Sequence, residues 1–176
     1  GIDKTESYGF VRDFVGTVSQ AGCEVFIVHA RNAWLKGLSP RENRTVPPLR
    51  YETVARLKRD FPRLTIVLNG GLRDHATALA QLSQVDGVMI GREACDNPWM
   101  LAEVDVRYFG QPSPCATRET VVDAMRPYLA REVAAGVPAR AVVRPMIGLF
   151  NGLPGARNWR RALSDPSLLE SAGPRI

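Results

Sequence analysis

Two short apolar runs, residues 65–71 and 86–92, each end abruptly in glycine and a polar side chain. Residues 74–83, between them, have the spacing of a short amphipathic helix that Asp74 caps. An apolar strand, a helix and a second apolar strand form a β-α-β unit, which implies a parallel sheet covered on both sides. This pair of runs constrains the fold more than any other feature of the chain.

The glycines of both runs follow the carboxyl end of a strand and precede a helix. Because glycine lacks Cβ, Gly70, Gly71 and Gly91 let backbone N–H groups come close to a ligand. With the amide of Asn69 and the permanent charge of Arg92, they predict a pocket for a dianionic phosphate. In (β/α)8 barrels the loops after the seventh and eighth strands have this role. Ordinary turns are the alternative, since single glycine pairs are common there.

The residues before these runs repeat the same alternation. A strand end is predicted at residues 1–3, a helix over 7–21, a strand over 24–29 and a helix over 51–60. The long polar loop at residues 30–50 is of a kind that usually carries function. Three strand–helix units cannot close a barrel of eight, so we predict the C-terminal part of a larger α/β barrel.

The pattern becomes purely helical in the second half of the chain. Residues 1–110 are assigned to the barrel, residues 111–116 to a linker and residues 117–176 to a helical domain. Asn97, before Pro98, is predicted to cap the last helix of the barrel part. Helices are predicted over residues 97–108, 117–134, 139–151 and 156–163.

Composition narrows the class of protein. A hydrophobic content of 45% with 23% charged residues describes a globular chain, and no apolar run approaches the length of a membrane span. Cys23, Cys95 and Cys115 have neither metal-ligand spacing nor an even count, which predicts reduced thiols, no metal site and a cytoplasmic location. Residues 117–176 carry nine arginines against five acidic residues. Such a surface suits phosphate and nucleic acid, although a solvated basic surface is the alternative.

His29 ends the strand at residues 24–29, on the edge where barrel enzymes place ligand-binding residues. A neutral imidazole there can donate a hydrogen bond to a phosphate or to a ring carbonyl. A purely structural histidine is the alternative interpretation.

A series of short motifs follows one order along the chain. Its members are His29-Ala-Arg31, Gly37-Leu-Ser-Pro40, Glu42-Asn-Arg44, Pro47-Pro-Leu49, Asn69-Gly-Gly71, Gly91-Arg92, Gly148-Leu-Phe150, Gly155-Ala-Arg157 and Trp159-Arg-Arg161. The series resembles the C-terminal half of the tRNA-dihydrouridine synthases, specifically their A-type branch. The resemblance implies an FMN-containing (β/α)8 TIM barrel followed by a small helical domain that binds tRNA. It implies reduction of D-loop uridines to 5,6-dihydrouridine with NADPH as reductant, by an enzyme that is a monomer at full length.

The resemblance also assigns individual residues by position. Six match FMN contacts of the family: His29, Asn69, Gly70, Gly71, Gly91 and Arg92. Four match its tRNA contacts: Arg41, Arg44, Arg157 and Arg160. The last two lie at i and i+3, on one helix face, as contacts to successive backbone phosphates require.

One departure limits what the chain is expected to do alone. The family's general acid is a cysteine in an Asn-x-Gly-Cys-Pro-Ser-like motif of the first half of the barrel, and no such motif occurs in this sequence. No catalytic residue is therefore assigned, the isolated chain is expected to be inactive, and its helical domain is expected to be incomplete at the C-terminus. The rival interpretations are another FMN-dependent TIM-barrel oxidoreductase acting on a small molecule, and a non-catalytic RNA-binding remnant.

Overall fold

The computed structural model describes residues 7–167 and residue 169. Packing divides the chain into two units, Gly1–Gly91 and Arg92–Ile176. The strand end predicted at residues 1–3 and the last residues of the helical domain lie outside the described residues. In the described part, no helix has the length and apolar character needed to cross a membrane.

The first unit alternates helices and strands. Its helices are Tyr8–Gln20 (α1), Tyr51–Asp60 (α2) and His75–Leu82 (α3), and its strands are Val25–His29 (β1), Thr65–Asn69 (β2) and Gly87–Met89 (β3). The strands are parallel and lie in the order β1-β2-β3. The predicted α/β class and β-α-β unit are confirmed, and each of these elements starts within one residue of its prediction.

In the part of the chain that the structure describes, a core lies against one face of this sheet. Ile66 and Leu68 of β2 are buried and pack with Val54 of α2. On the opposite face, Ile27 of β1 is 60% exposed and Met89 of β3 is 44% exposed. The expectation of a sheet covered on both sides is therefore wrong for the described residues. Along β1 and β3, apolar side chains point to both faces of the sheet, but the described helices cover one face.

An aspartate and a lysine connect the amino end of the sheet to α2. Asp86 accepts a hydrogen bond from the backbone N–H of Ile66 over 2.8 Å, and Lys58 Nζ lies 2.8 Å from the other carboxylate oxygen. Desolvation raises the pKa of Asp86, but the Ile66 amide and the Lys58 ammonium outweigh it, so the pKa is lower than usual. This contact fastens α2 to the strand ends opposite the glycines.

The second unit is helical and has its own core. Its α-helices are Arg92–Asp96 (α4), Val104–Phe109 (α5), Arg118–Ala134 (α6), Ala139–Val143 (α7) and Ala156–Ser164 (α8). Short 3₁₀ helices cover Pro98–Glu103 and Arg144–Met146. The buried core residues are Leu129, Val142, Val143, Leu163 and Leu169.

Local chemistry explains which helix predictions hold in this unit. The side chain of Thr117 caps α6 by accepting a hydrogen bond from the backbone N–H of Thr120. In return, the hydroxyl of Thr120 accepts a hydrogen bond from the backbone N–H of Thr117. The helix predicted over residues 117–134 is confirmed. The single helix predicted over residues 139–151 is wrong, because the α-helix ends before Pro145, which has no N–H and clashes with the preceding turn. Asn97 is the N-cap residue with Pro98 at the start of the helix, as predicted, although its side chain makes no capping hydrogen bond. The single helix predicted over residues 97–108 is instead a 3₁₀ helix followed by α5.

The packing of residues 92–110 bears on the domain limits. Asn151 donates a hydrogen bond to the carbonyl of Asp96, and Ser113 donates one to the carbonyl of Ala102. These residues lie within the Arg92–Ile176 unit. The limits at residues 110 and 116 stay a prediction.

Candidate functional site

The carboxyl edge of the sheet brings His29 and Asn69 side by side. The parallel register pairs His29 with Asn69, and Asn69 with Met89. Atom Nδ1 of His29 lies 3.1 Å from Oδ1 of Asn69. With Nδ1–H of a neutral ring donating to this amide oxygen, Nε2 of the exposed ring is an acceptor, so donation to a phosphate would require the other tautomer. The two predicted residues are thus brought together on the face that carries Ile27.

Gly70 and Gly71 adopt backbone conformations that other residues rarely reach. Their φ angles are +116° and +70°. A Cβ atom on Gly70 would lie 2.8 Å from Nδ1 of His29, and one on Gly71 would lie 2.5 Å from a methyl group of Leu49. Both glycines are therefore required by backbone conformation and by space.

Tyr51 is a site residue that the sequence analysis did not assign. Its hydroxyl donates a hydrogen bond to the carbonyl of Gly70 over 2.8 Å. Desolvation raises the pKa of Tyr51, which keeps the hydroxyl protonated as a donor. In a trans peptide the C=O and N–H groups point in opposite directions, so fixing the Gly70 carbonyl also fixes the N–H of Gly71.

The helix that follows Gly71 is already capped by a carboxylate. Asp74 accepts a hydrogen bond from the backbone N–H of Thr77 over 2.7 Å and another from its hydroxyl over 3.0 Å. The backbone contact and then the hydroxyl contact hold the pKa of Asp74 below its usual value. The backbone N–H of Thr77 is therefore already paired and is not available to a ligand.

Gly91 and Arg92 follow β3 and complete the predicted set. Gly91 is exposed, and a Cβ atom there would meet no heavy atom within 4 Å. Arg92 is exposed and begins α4 in the second unit. Because Gly91 and Arg92 belong to different units, their joint action with Asn69 stays a prediction.

The loop that carries Arg41 and Arg44 is internally braced. The side chain of Glu42 accepts hydrogen bonds from the N–H and hydroxyl of Ser39, over 2.8 and 2.6 Å. The hydroxyl contact and then the backbone contact lower the pKa of Glu42. Asn43 exchanges two hydrogen bonds with the backbone of Trp34, over 2.7 and 2.9 Å.

These hydrogen bonds brace a single 3₁₀ turn, Glu42–Arg44, which Arg41 precedes as the N-cap residue, and both arginines are exposed. The motif Glu42-Asn-Arg44 thus combines two bracing residues with one of the arginines. Arg41 and Arg44 lie at i and i+3, which brings side chains of a 3₁₀ turn onto one side.

Helix α8 carries the other predicted arginine pair. Ala156 and Leu163 are buried, and Trp159 packs on the core and donates its Nε1–H to the carbonyl of Met146 over 2.9 Å. Arg157 and Arg160 are exposed on the remaining surface. The amphipathic pattern of α8 therefore directs its arginines to the outside of the unit.

Comparison with known proteins adds to this geometry. A family model described as Dihydrouridine synthase (Dus) matches residues 1–175. The chain is 54% identical over 166 residues to a tRNA-dihydrouridine(20/20a) synthase of Escherichia coli K12, which covers 94% of this chain and 48% of the relative. A protein of the same name from Vibrio cholerae is 49% identical over 174 residues, covering 98% of this chain and 53% of the relative. The chain spans about half the length of these curated relatives.

Proposed function

The chain belongs to the dihydrouridine synthase family, and from this premise we propose that it supplies the C-terminal part of an FMN-dependent tRNA-dihydrouridine synthase. The proposed reaction is reduction of D-loop uridines in tRNA to 5,6-dihydrouridine, with NADPH as reductant. The observation that carries the proposal is the glycine edge of the sheet, where His29, Asn69 and two positive-φ glycines converge.

The uncovered sheet face supports a partial barrel. In a closed (β/α)8 barrel the strands present one face to the helices and the other to a packed interior. The first unit has a core on one face and exposed apolar side chains, including Val25 and Ile27, on the other. Further strand–helix units would cover this second face in the complete barrel.

The residues of the glycine edge fit a flavin phosphate. The space that a Cβ atom on Gly70 would fill is bounded by His29 Nδ1 at 2.8 Å and by the backbone nitrogen of Ala30 at 3.4 Å. In the proposed site, the N–H groups after Asn69, the amide of Asn69 and the guanidinium of Arg92 would hold the phosphate, and His29 would contact the cofactor. FMN, when bound, supplies the hydride chemistry.

The other ionic contacts would be made to tRNA. Arg41 with Arg44, and Arg157 with Arg160, form two exposed pairs at i and i+3. Each arginine would contact a backbone phosphate, which positions RNA without reading its sequence. The chain's own role in the reaction is thus to hold cofactor and substrate, and the target base must leave its stack to reach the cofactor.

The decisive experiment uses a full-length enzyme that contains this chain and tRNA that lacks dihydrouridine. With NADPH, we expect dihydrouridine to form in the D-loop, measured by mass spectrometry of the digested tRNA. Flavin turnover on a small molecule without any effect of tRNA would instead favour the rival oxidoreductase.

Filter binding of tRNA at two salt concentrations, together with flavin content, distinguishes the proposed enzyme from a non-catalytic RNA-binding protein. Phosphate contacts make the logarithm of the affinity fall linearly with the logarithm of salt concentration. A full-length protein that binds tRNA in this way but takes up no FMN would be a non-catalytic RNA-binding protein. We expect both a steep salt dependence and bound FMN.

A further inference from the structure

The turn before α8 holds one of the helix's arginines in place. Nη1 of Arg160 donates a hydrogen bond to Oδ1 of Asn151 over 2.8 Å, and Nδ2 of Asn151 donates one to the backbone carbonyl of Asp96 over 2.6 Å. Because the carbonyl of Asp96 can only accept, the amide of Asn151 must turn its oxygen toward Arg160. The guanidinium therefore meets an acceptor of fixed orientation.

The anchor for this amide is itself tightly packed. Gly148 is buried, and a Cβ atom there would overlap the carbonyl of Asp96 and lie 3.0 Å from Cδ of Pro98. The backbone N–H of Asn151 donates to the carbonyl of Gly148 over 3.0 Å. Both packing and hydrogen bonding thus hold Asn151 against Asp96.

Arg157, three residues earlier on the same helix, provides an internal contrast. It is exposed, and within residues 7–167 and 169 its side chain makes no hydrogen bond or ion pair. Arg160 is oriented before any ligand arrives, whereas Arg157 is not. The two proposed tRNA contacts therefore differ in how much freedom each loses on binding.

Resting on the proposed tRNA contact of Arg160, we propose that Asn151 is a positioning residue for tRNA binding. An arginine that is already ordered loses less conformational freedom when it pairs with a phosphate. A neutral amide suits this role because it orients the guanidinium without cancelling its charge, as a carboxylate in the same place would. Asn151 acts on the RNA through Arg160 alone.

The test is a double-mutant cycle on the full-length enzyme, with tRNA affinity measured across a series of salt concentrations. The variants are Asn151→Ala, Arg160→Ala and Arg157→Ala, with both double variants that contain Asn151→Ala. We expect Asn151→Ala to weaken tRNA binding by roughly twofold to tenfold, in the range expected for ordering one side chain. We expect no further loss when it is added to Arg160→Ala, but the full loss when it is added to Arg157→Ala.

The salt series supplies a readout that a purely structural role would not give. Asn151→Ala keeps every charge, so the slope of affinity against salt should stay unchanged, whereas Arg160→Ala should reduce it by about one ion equivalent. The melting temperature of each variant is the control for folding.

Two results would overturn the inference while leaving the proposed function intact. One is a loss from Asn151→Ala that persists in the Arg160→Ala background, which would indicate a general structural role. The other is weaker binding by Arg160→Ala with no effect of Asn151→Ala. If Arg160→Ala alone leaves tRNA binding unchanged, the assigned contact of Arg160 is wrong and the inference about Asn151 is wrong with it.

Discussion

The described parts of the two units differ in how they bury their apolar side chains. The sheet unit buries one face of its strands and exposes apolar side chains on the other, with Phe10 and Phe14 of α1 exposed as well. The helical unit instead encloses a core around Leu129 and Leu163, and α8 exposes its arginines. The candidate cofactor edge thus lies on a sheet with one uncovered face, whereas the arginines of α8 lie on a helix that packs on the core of its own unit.

The largest expected effect tests this contrast directly. We expect the isolated 176-residue chain to self-associate through its uncovered face and to show no uridine reduction, because edge strands and exposed apolar faces associate. Light scattering and an activity assay, with a full-length enzyme as the matched control, measure both. A monodisperse, cooperatively melting and active isolated chain would remove the contrast between the two units.

A charged side chain on the uncovered sheet face should reduce self-association of the isolated chain but destabilise a full-length enzyme. Ile27→Lys should reduce self-association of the isolated chain, where Ile27 is 60% exposed. In a full-length enzyme it should cost about 4 kcal/mol or more, because the barrel interior would bury an unpaired charge. Chemical denaturation measures the second effect, and Gln84→Lys, at an exposed position after α3 and outside the strands, serves as a control. Equal stability of both full-length variants would mean that this face stays uncovered.

The glycine edge should tolerate no side chain. Gly70→Ala should cost about 1–3 kcal/mol, because it places Cβ at a φ of +116° and against His29. Flavin content, read from the absorbance of the purified full-length enzyme, should fall with it. Gly22→Ala is the matched control, since Gly22 lies outside the candidate site and has a φ of +94°, but a Cβ atom there meets nothing within 4 Å. Full flavin content in Gly70→Ala would show that the conformation of this edge does not matter for the cofactor.

Removing an arginine from α8 should weaken tRNA binding without changing flavin binding. Arg157→Ala should weaken tRNA binding about fivefold, equivalent to about 1 kcal/mol, with unchanged flavin content. Filter binding and absorbance together check this in a full-length enzyme. If flavin is lost and RNA affinity is kept, Arg157 has been assigned to the wrong ligand.

The smallest effect concerns the helical unit alone. Thr117→Ala should lower the free energy of unfolding by about 1 kcal/mol, because it removes one side of the capping exchange with Thr120. Thr117→Ser keeps the hydroxyl and should restore most of that stability. Tryptophan fluorescence during denaturation can follow Trp159, which packs on this core. An unchanged denaturation midpoint in Thr117→Ala would show that the Thr117 cap does not stabilise α6.

Much of the fold was accessible from the sequence because the signals were local. The spacing of apolar residues located α2, and Thr117, a residue type that favours the N-cap, located the start of α6. The series of motifs indicated the dihydrouridine synthase family, which is confirmed. The split of the helix predicted over residues 139–151 required weighing Pro145 more heavily than periodicity.

Parts of the candidate site could not be predicted, because they depend on contacts between distant residues. Tyr51 holds the carbonyl of Gly70 across 19 positions, and Asn151 reaches Asp96 across 55. Neither pairing leaves a periodic or spacing signal in a single sequence. The count of three strand–helix units predicts a bare sheet face, but an apolar alternation gives no indication of which chain segment covers that face.

The most direct test of the account compares FMN with riboflavin, which lacks the phosphate. In a full-length enzyme, Arg92→Ala should weaken FMN binding about tenfold or more, as expected for losing a charged hydrogen-bonding partner, and leave riboflavin affinity unchanged. Fluorescence titration of each flavin measures both constants. Equal affinity of the variant and the parent enzyme for FMN, or an equal loss for both flavins, would contradict a phosphate site at the glycine edge.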